Sequence, residues 1–322
     1  MKIGKILSLT ACSVLAGSLY AGSSTMNFAN VYEKECQGCH GPIHQGGVGS
    51  DLRPDALKKK ERHVLRDAIM NGVTNTAMPQ WQHMFSKDDA DGMVDWLMDW
   101  KDNTNFKLNL EEIKGTWTKL ADRDELAKKY PNSVDTKSVL DITFATERDA
   151  SLVDFIDSTT GKVLSRHKAG FAVHVTVTNK KNPRYAYSIS RSGRLTMFDI
   201  AAPGQPAIAS VQVGFESRGL AVSPDGKYVI AGNYTPGGAV LCDAMTLEPL
   251  KAYDTSAVIN TEGQIEASRV ASLADTPYGP YFAMALKDAG RVYLIDYSKP
   301  GFPIVGDVPN IGKILHDAFL NE

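Results

Sequence analysis

The run Cys36-Gln37-Gly38-Cys39-His40 places two thiols and an imidazole at fixed spacing, with Gly41-Pro42 behind them. Two thiols so spaced can add to two vinyl groups as thioethers. The next residue then stands an imidazole under an iron. This is the attachment signature of a c-type haem. A thioredoxin-like redox pair needs no adjacent histidine and sits near a βαβ pattern, which is missing here. A zinc site needs a second pair of ligands at matching spacing, and the sequence has none. Cys36 and Cys39 are therefore assigned to one covalent haem c, and His40 to its iron.

The sixth ligand of that iron must come from farther along. Met78, in Thr76-Ala77-Met78-Pro79, lies 38 residues after His40, enough chain for a helix and a return loop. A methionine sulfur raises the iron's potential, and Pro79 stiffens the loop that would present it. Met70, His63, His83, Met84 and His44 compete for the role. Met70 falls in the apolar pattern of Val64, Leu65, Ala68 and Ile69 and reads as core. The histidines read as surface residues.

These ligands need helices to hold them. Ser86 followed by Asp89 resembles an N-cap. Met93, Trp96, Leu97 and Trp100 then recur at helical spacing and make one apolar face. An all-α, class I type cytochrome c domain is expected over residues 25–102. Upstream, Lys2 and Lys5 precede an apolar run from Ile6 to Tyr20, closing at Leu19-Tyr20-Ala21. That pattern reads as an export signal over 1–21. The run is shorter than the roughly 20 apolar residues of a membrane span. A rival reading makes Cys12, after Leu9-Thr10-Ala11, a lipoprotein site, although its apolar region would be short. Either reading places the mature chain in the periplasm.

With 322 residues and a 43% hydrophobic fraction, two globular domains are expected. A net charge of −2 leaves no basic footprint for nucleic acid. Cys242 is left as a lone thiol in an apolar slot and reads as structural. Residues 103–137 are polar and read as a linker. Trp117 is its one large anchor, and a helix is expected near Asp124–Lys129.

From about residue 138 the chain is rich in β-formers and turn residues, and it repeats. Leu152–Asp157, Leu195–Asp199, Val240–Asp243 and Val292–Asp296 align. Their closing aspartates are separated by steps of 42, 44 and 53 residues. A four-stranded propeller blade has about that length. Ser223-Pro224-Asp225-Gly226 is a hairpin turn within one unit. Laying Gly170–His174 over Gly214–Arg218 puts His174, Arg218, Arg269 and His316 at one slot, before or at the start of a strand. Equivalent propeller positions converge on the axis. A ring of two Arg and two His is costly unless something anionic or metallic pairs with it.

A haem c domain followed by a propeller with such a ring resembles the cytochrome cd1 nitrite reductase family, including its haem d1 biogenesis paralogues. The resemblance covers nearly all of the mature chain. It implies a haem d1 held non-covalently in an eight-bladed propeller, of which about four blades are present over 138–322, as in a C-terminally truncated member. His174 in Gly170-Phe171-Ala172-Val173-His174 is similar to the proximal ligand of the d1 iron. Arg148, Arg191, Arg218 and Arg269 match basic positions that hold d1 carboxylates. Tyr234 lies in the corresponding pocket segment. Leu315-His316-Asp317 looks like the distal segment whose histidine gives protons to nitrite, so His316 is the catalytic candidate. Two departures stand out. Val177 occupies a position where the reductases usually have Arg. Gly232-Asn233-Tyr234-Thr235-Pro236-Gly237-Gly238 is closer to the biogenesis paralogues.

Three functions follow from this reading. One is an oxidoreductase that takes electrons from a soluble donor, a small cytochrome or a cupredoxin, and reduces nitrite to nitric oxide. Another is a d1 maturation protein that dehydrogenates a d1 precursor. The last is an electron-transfer cytochrome only. A homodimer is compatible with each.

Overall fold

The computed structural model describes residues 26–41, 44, 46, 49–100 and 108–317. The export segment expected over 1–21, with Cys12, lies outside them. Among the described residues, no helix is long and apolar enough to cross a membrane.

The first part is helical. Helix α1 (Phe28–Val31) starts where the Asn27 side chain accepts the Asn30 N–H at 3.1 Å. A π-helical turn, Tyr32–Cys36, carries it into α2 (Gln37–His40), so the attachment motif is wound into one continuous helical segment. Next come α3 (Pro54–Leu57), opened by its proline, and α4 (Arg62–Asn71). Helix α5 (Lys87–Met98) begins with a reciprocal cap. The Asp89 N–H donates to Ser86 Oγ, and the Ser86 N–H donates to the Asp89 carboxylate, each at 3.1 Å. This helix buries Ala90, Met93, Val94 and Leu97, one face at helical spacing. They pack with Tyr32, Leu57 and Phe85. One surface expectation fails. His44 is only 2% exposed and sits in a box formed by Tyr32, Trp96 and Trp100, with ring centres 4.2, 5.2 and 4.6 Å away.

The stretch expected as a linker is strapped onto the sheets that follow. Helix α6 (Leu110–Gly115) buries Ile113, and α7 (Arg123–Lys129) packs Leu126 against the same core. The Trp117 indole donates to the Thr246 carbonyl at 3.0 Å, and Arg123 donates to the Met245 carbonyl at 2.8 Å. Strand β1 (Thr118–Lys119) adds to the outer edge of a sheet. Trp117 is therefore one of several anchors.

The rest is antiparallel sheet. The first sheet is β2 (Ile142–Glu147), β3 (Leu152–Asp157) and β4 (Val163–Lys168). The second is β5 (Val173–Thr178), β6 (Tyr185–Ser190), β7 (Arg194–Asp199) and β8 (Ala207–Gln212), with β1 outside. The third is β9 (Glu216–Val222), β10 (Tyr228–Thr235), β11 (Gly238–Asp243) and β12 (Pro249–Asp254). A small hairpin of β13 (Val258–Ile259) and β14 (Ile265–Glu266) intervenes. The fourth sheet is β15 (Val270–Asp275), β16 (Tyr281–Leu286), β17 (Arg291–Asp296) and β18 (Ile304–Val308). Each sheet is a simple meander. The leading strands β5, β9 and β15 pack side by side. This arrangement is consistent with a propeller-like domain. The inserted hairpin accounts for the long final step of the repeat.

The repeated aspartates have a local cause. Asp157, Asp199, Asp243 and Asp296 end β3, β7, β11 and β17. Each accepts the backbone N–H two residues on, at 2.7–3.1 Å, and so nucleates the turn. By this register β2 is a second strand, and among the described residues the first sheet has no inner strand. The middle sheets are packed on both faces, which is why β6 is buried along its whole length. Cys242 is fully buried there, and burial pushes its thiol well above the usual range, as suits a structural thiol.

The aromatic box makes the helical part sensitive to acid. Burial pushes the His44 imidazole down to about 4 from 6.5, so the fold favours the neutral ring. Its stabilisation is fully present above pH 6.5 and is lost as pH falls toward 4, by about 3 kcal/mol. Denaturant unfolding followed by tryptophan fluorescence should show this loss, and His44→Gln should flatten it.

Candidate functional site

The helical part encloses a cavity of about 530 Å³. Cys36, Cys39, His40 and Met78 line it, with Leu52, Ile69, Trp81 and Leu97 among its apolar walls. His40 donates from Nδ1 to the Ser50 carbonyl at 2.7 Å, which leaves Nε2 free for a metal and fixes the ring's orientation. Gly49 packs flat on that ring. A Cβ there would stand 2.7 Å from it. Of the six candidates for the sixth ligand, Met78 lines the cavity. Its loop is tied by Val73 N–H to the Met78 carbonyl and by Met78 N–H to Thr76 Oγ1, both at 3.2 Å. Met70 packs in the helical core. His63 pairs with Glu61 and is exposed, and His83 stacks on Trp81. Met84 is 37% exposed. The donor set and the apolar walls fit a covalently attached haem.

The second cluster follows from sheet topology. In an antiparallel meander, the start of the first strand and the end of the second lie at one rim. His174 is the second residue of β5, Arg218 the third of β9, and Arg269 directly precedes β15. Arg148 and Arg191 directly follow β2 and β6, and Tyr234 is the penultimate residue of β10. The rim thus gathers the residues that the sequence singled out. His316 follows β18 on a segment outside the strands. It reaches the cluster through Arg218, with Nη1 to Nε2 at 3.4 Å, and pairs with Asp317 at 2.9 Å.

The Tyr234 ring is the centre of the cluster. It is 8% exposed, with the Arg218 and Arg269 guanidiniums 4.9 and 5.2 Å from its centre. A third cation, the Lys287 ammonium, lies 5.8 Å from the same ring. Sequence reasoning missed Lys287, yet a signal was there. Arg148, Arg191, Tyr234 and Lys287 stand nine, eight, nine and nine residues before the four closing aspartates. It also missed the two balancing carboxylates. Glu216 pairs with Arg191, and Asp288 binds Arg269 through both oxygens.

Charge at this rim is not balanced. Among the described residues, Arg148, Arg218 and Lys287 have no carboxylate within ion-pair reach. Arg148 is exposed to water. The Tyr234 hydroxyl and the Nε atoms of Arg191 and Arg218 are buried without a hydrogen-bond partner. Burial, then Arg218, Arg191 and Arg148, hold the His174 imidazole below its usual value, which keeps it neutral and able to bind a metal. His174 as a residue keeps some exposure while its ring is partly covered by the cluster. Neutral imidazole, unpaired cations and orphaned donors together fit an anionic tetrapyrrole with a central iron.

The two sites also touch. The Phe171 ring lies against Gly38, 3.0 Å from where a Cβ would stand. The haem-attachment turn therefore rests on the loop that leads to His174.

A cavity lined by two cysteines, a histidine and a methionine, and a cationic rim on antiparallel sheets, are the two candidate centres of the chain. The chain belongs to the family described as Cytochrome D1 heme domain, whose profile matches residues 137–322. Residues 24–97 match the cytochrome c oxidase cbb3-type subunit III profile. A nitrite reductase of Stutzerimonas stutzeri is 27% identical over 316 residues, covering 89% of this chain and 53% of the relative. A dihydro-heme d1 dehydrogenase of Pseudomonas aeruginosa is 27% identical over 294 residues, covering 91% of this chain and 57% of the relative. The solved structure of dihydro-heme d1 dehydrogenase NirN in complex with DHE superposes with a TM-score of 0.62 at 26% identity, over 87% of this chain and 58% of that one. The chain spans somewhat over half the length of these relatives. They are oxidoreductases.

Met78→Ala tests the sixth ligand. In the haem-loaded protein it should lower the iron's potential and give an optical spectrum of an opened coordination site. Unchanged potential and spectrum would assign the ligand elsewhere.

Proposed function

We propose that this chain is a periplasmic oxidoreductase in which haem c exchanges electrons with a d1-type tetrapyrrole held at the cationic rim, and that its reaction is the reduction of nitrite to nitric oxide. The observation that carries the reading is the uncompensated positive charge around Tyr234 on the rim that also carries His174. Cys36 and Cys39 would hold haem c, with His40 and Met78 on its iron. His174 would bind the d1 iron. Arg148, Arg191, Arg218, Arg269 and Tyr234 would receive its carboxylates. A bound d1 group supplies a redox-active iron open to a small anion.

Nitrite takes one electron and two protons to give nitric oxide and water. His316, between Arg218 and Asp317, is placed to pass a proton, with the carboxylate restoring its charge. The cations favour approach of an anion. The electron would come from a soluble cytochrome or cupredoxin through haem c.

A second reading, dehydrogenation of a d1 precursor, is favoured by Val177. That side chain packs into the apolar core between sheets, so the arginine usual in the reductases has no counterpart there. The Asn233 amide is buried and bridges Ser217 to the Val213 carbonyl, which fixes the connection from β8 into β9 next to Tyr234.

The two readings separate in one assay. The purified protein, carrying both haems and reduced by a small cytochrome, should release nitric oxide from nitrite, and His174→Ala should lose both the red-absorbing chromophore and this activity while keeping the haem c spectrum. No nitric oxide, with oxidation of a dihydro precursor instead, would assign the maturation role. No extractable red chromophore would leave an electron-transfer cytochrome.

A further inference from the structure

Lys287 is nine-tenths buried as a residue, yet among the described residues no carboxylate pairs with its ammonium. The nearest acid is its neighbour Asp288, and Arg269 takes that carboxylate through a bidentate pair at 2.6–3.2 Å. What Lys287 does face is the Tyr234 ring, which two guanidiniums already share. A partly desolvated ammonium beside two like charges is unfavourable unless an anion joins them. Three points fix it there. It directly follows β16, the rim position that Arg148 and Arg191 take in other sheets. Its N–H donates to the Arg269 carbonyl at 2.8 Å. Its carbonyl accepts the Leu315 N–H at 3.1 Å, one residue before His316.

We infer that Lys287 is a further ligand-positioning residue, whose ammonium ion-pairs with a carboxylate of the tetrapyrrole at this rim. The inference rests on the tetrapyrrole reading above and adds to it a charge that nothing else on the rim satisfies. The ammonium, the Arg218 guanidinium and the orphaned Tyr234 hydroxyl then form one receiving set. A lysine suits this place because a compact point charge needs no planar partner. Through Leu315 its backbone also ties the bound group to the segment carrying His316.

The test is an optical titration of the haem c-loaded protein with haem d1, as the free acid and as its methyl ester. Wild type should bind the acid more tightly than the ester. Lys287→Met should weaken acid binding roughly tenfold, as expected for loss of one charged contact. It should leave ester binding nearly unchanged, so the acid-to-ester ratio shrinks. Lys287→Arg should restore most of the ratio. A merely structural role would weaken both forms alike and leave the ratio at the wild-type value, which overturns the inference but not the tetrapyrrole reading. Wild type that binds neither form overturns both. Thermal midpoints and the haem c spectrum of each variant separate loss of binding from loss of fold.

Discussion

Like charges crowded onto one rim are the constraint around which the second part of this molecule is organised. Arg191, Arg218, Arg269 and Lys287 are delivered there by successive hairpins. Arg191 and Lys287 are mostly covered, so their charges are screened less than surface charges would be. The fold offsets the repulsion with two carboxylates and one aromatic face; Asp288 acts within the fourth sheet, and the other two act across sheet boundaries. Glu216 of the third sheet holds Arg191 of the second. Tyr234 of the third sheet faces Arg269 and Lys287 of the fourth. The contacts that make the charge tolerable therefore also fasten neighbouring sheets. What they leave over is positive, and it surrounds a hydroxyl with nothing to bond.

The fold keeps the means of its own stability away from that rim. The aspartates that nucleate turns close the third strand of each sheet, and so stand at the opposite end of the meander. There they are satisfied by backbone N–H groups and need no partner from elsewhere. The ligand-facing end can then vary in side chain from sheet to sheet, as His, Arg, Tyr and Lys, without loss of the strands. The buried faces between sheets do the rest. Val177 and Cys242 both belong to the core between the second and third sheets. An ionised group at the fully buried Cys242 position would have no partner.

How much of this was legible in the sequence follows from how local each cause is. The haem-attachment run, the Ser86–Asp89 cap and the four aspartates act over a few residues, so their spacing shows them directly. The long third step of the repeat needed the β13–β14 hairpin to explain it, since an insertion leaves no periodic mark. His44 was expected at the surface because a lone histidine near glycines carries no pattern. Its burial comes from Trp96 in α5 and Trp100 just beyond that helix, some fifty residues away. Lys287 was passed over because Lys-Asp-Ala-Gly reads as a solvated turn. Its meaning emerges only when it is counted from Asp296, as Arg148 is counted from Asp157. Residues 108–129 looked like a tether because they are polar. Ile113, Trp117 and Leu126 are few, but each is spent on contact.

The two centres are held by different physics, and the difference bears on how they would work together. In the proposed reading the c-type group is bound by covalent bonds to a short helical turn, so its position survives changes of charge. In the same reading the rim would bind by ion pairs and orphaned donors, so its occupant would be selected by carboxylate number and could be exchanged. Phe171 joins them. Its ring rests on Gly38, between the two attachment cysteines, and its chain runs three residues on to His174. A side chain at position 38 would meet that ring at 3.0 Å, so the ring would have to give by a few tenths of an ångström. A glycine inside the attachment run thus lets the loop that leads to His174 pack directly on the helical segment that carries Cys36 and Cys39.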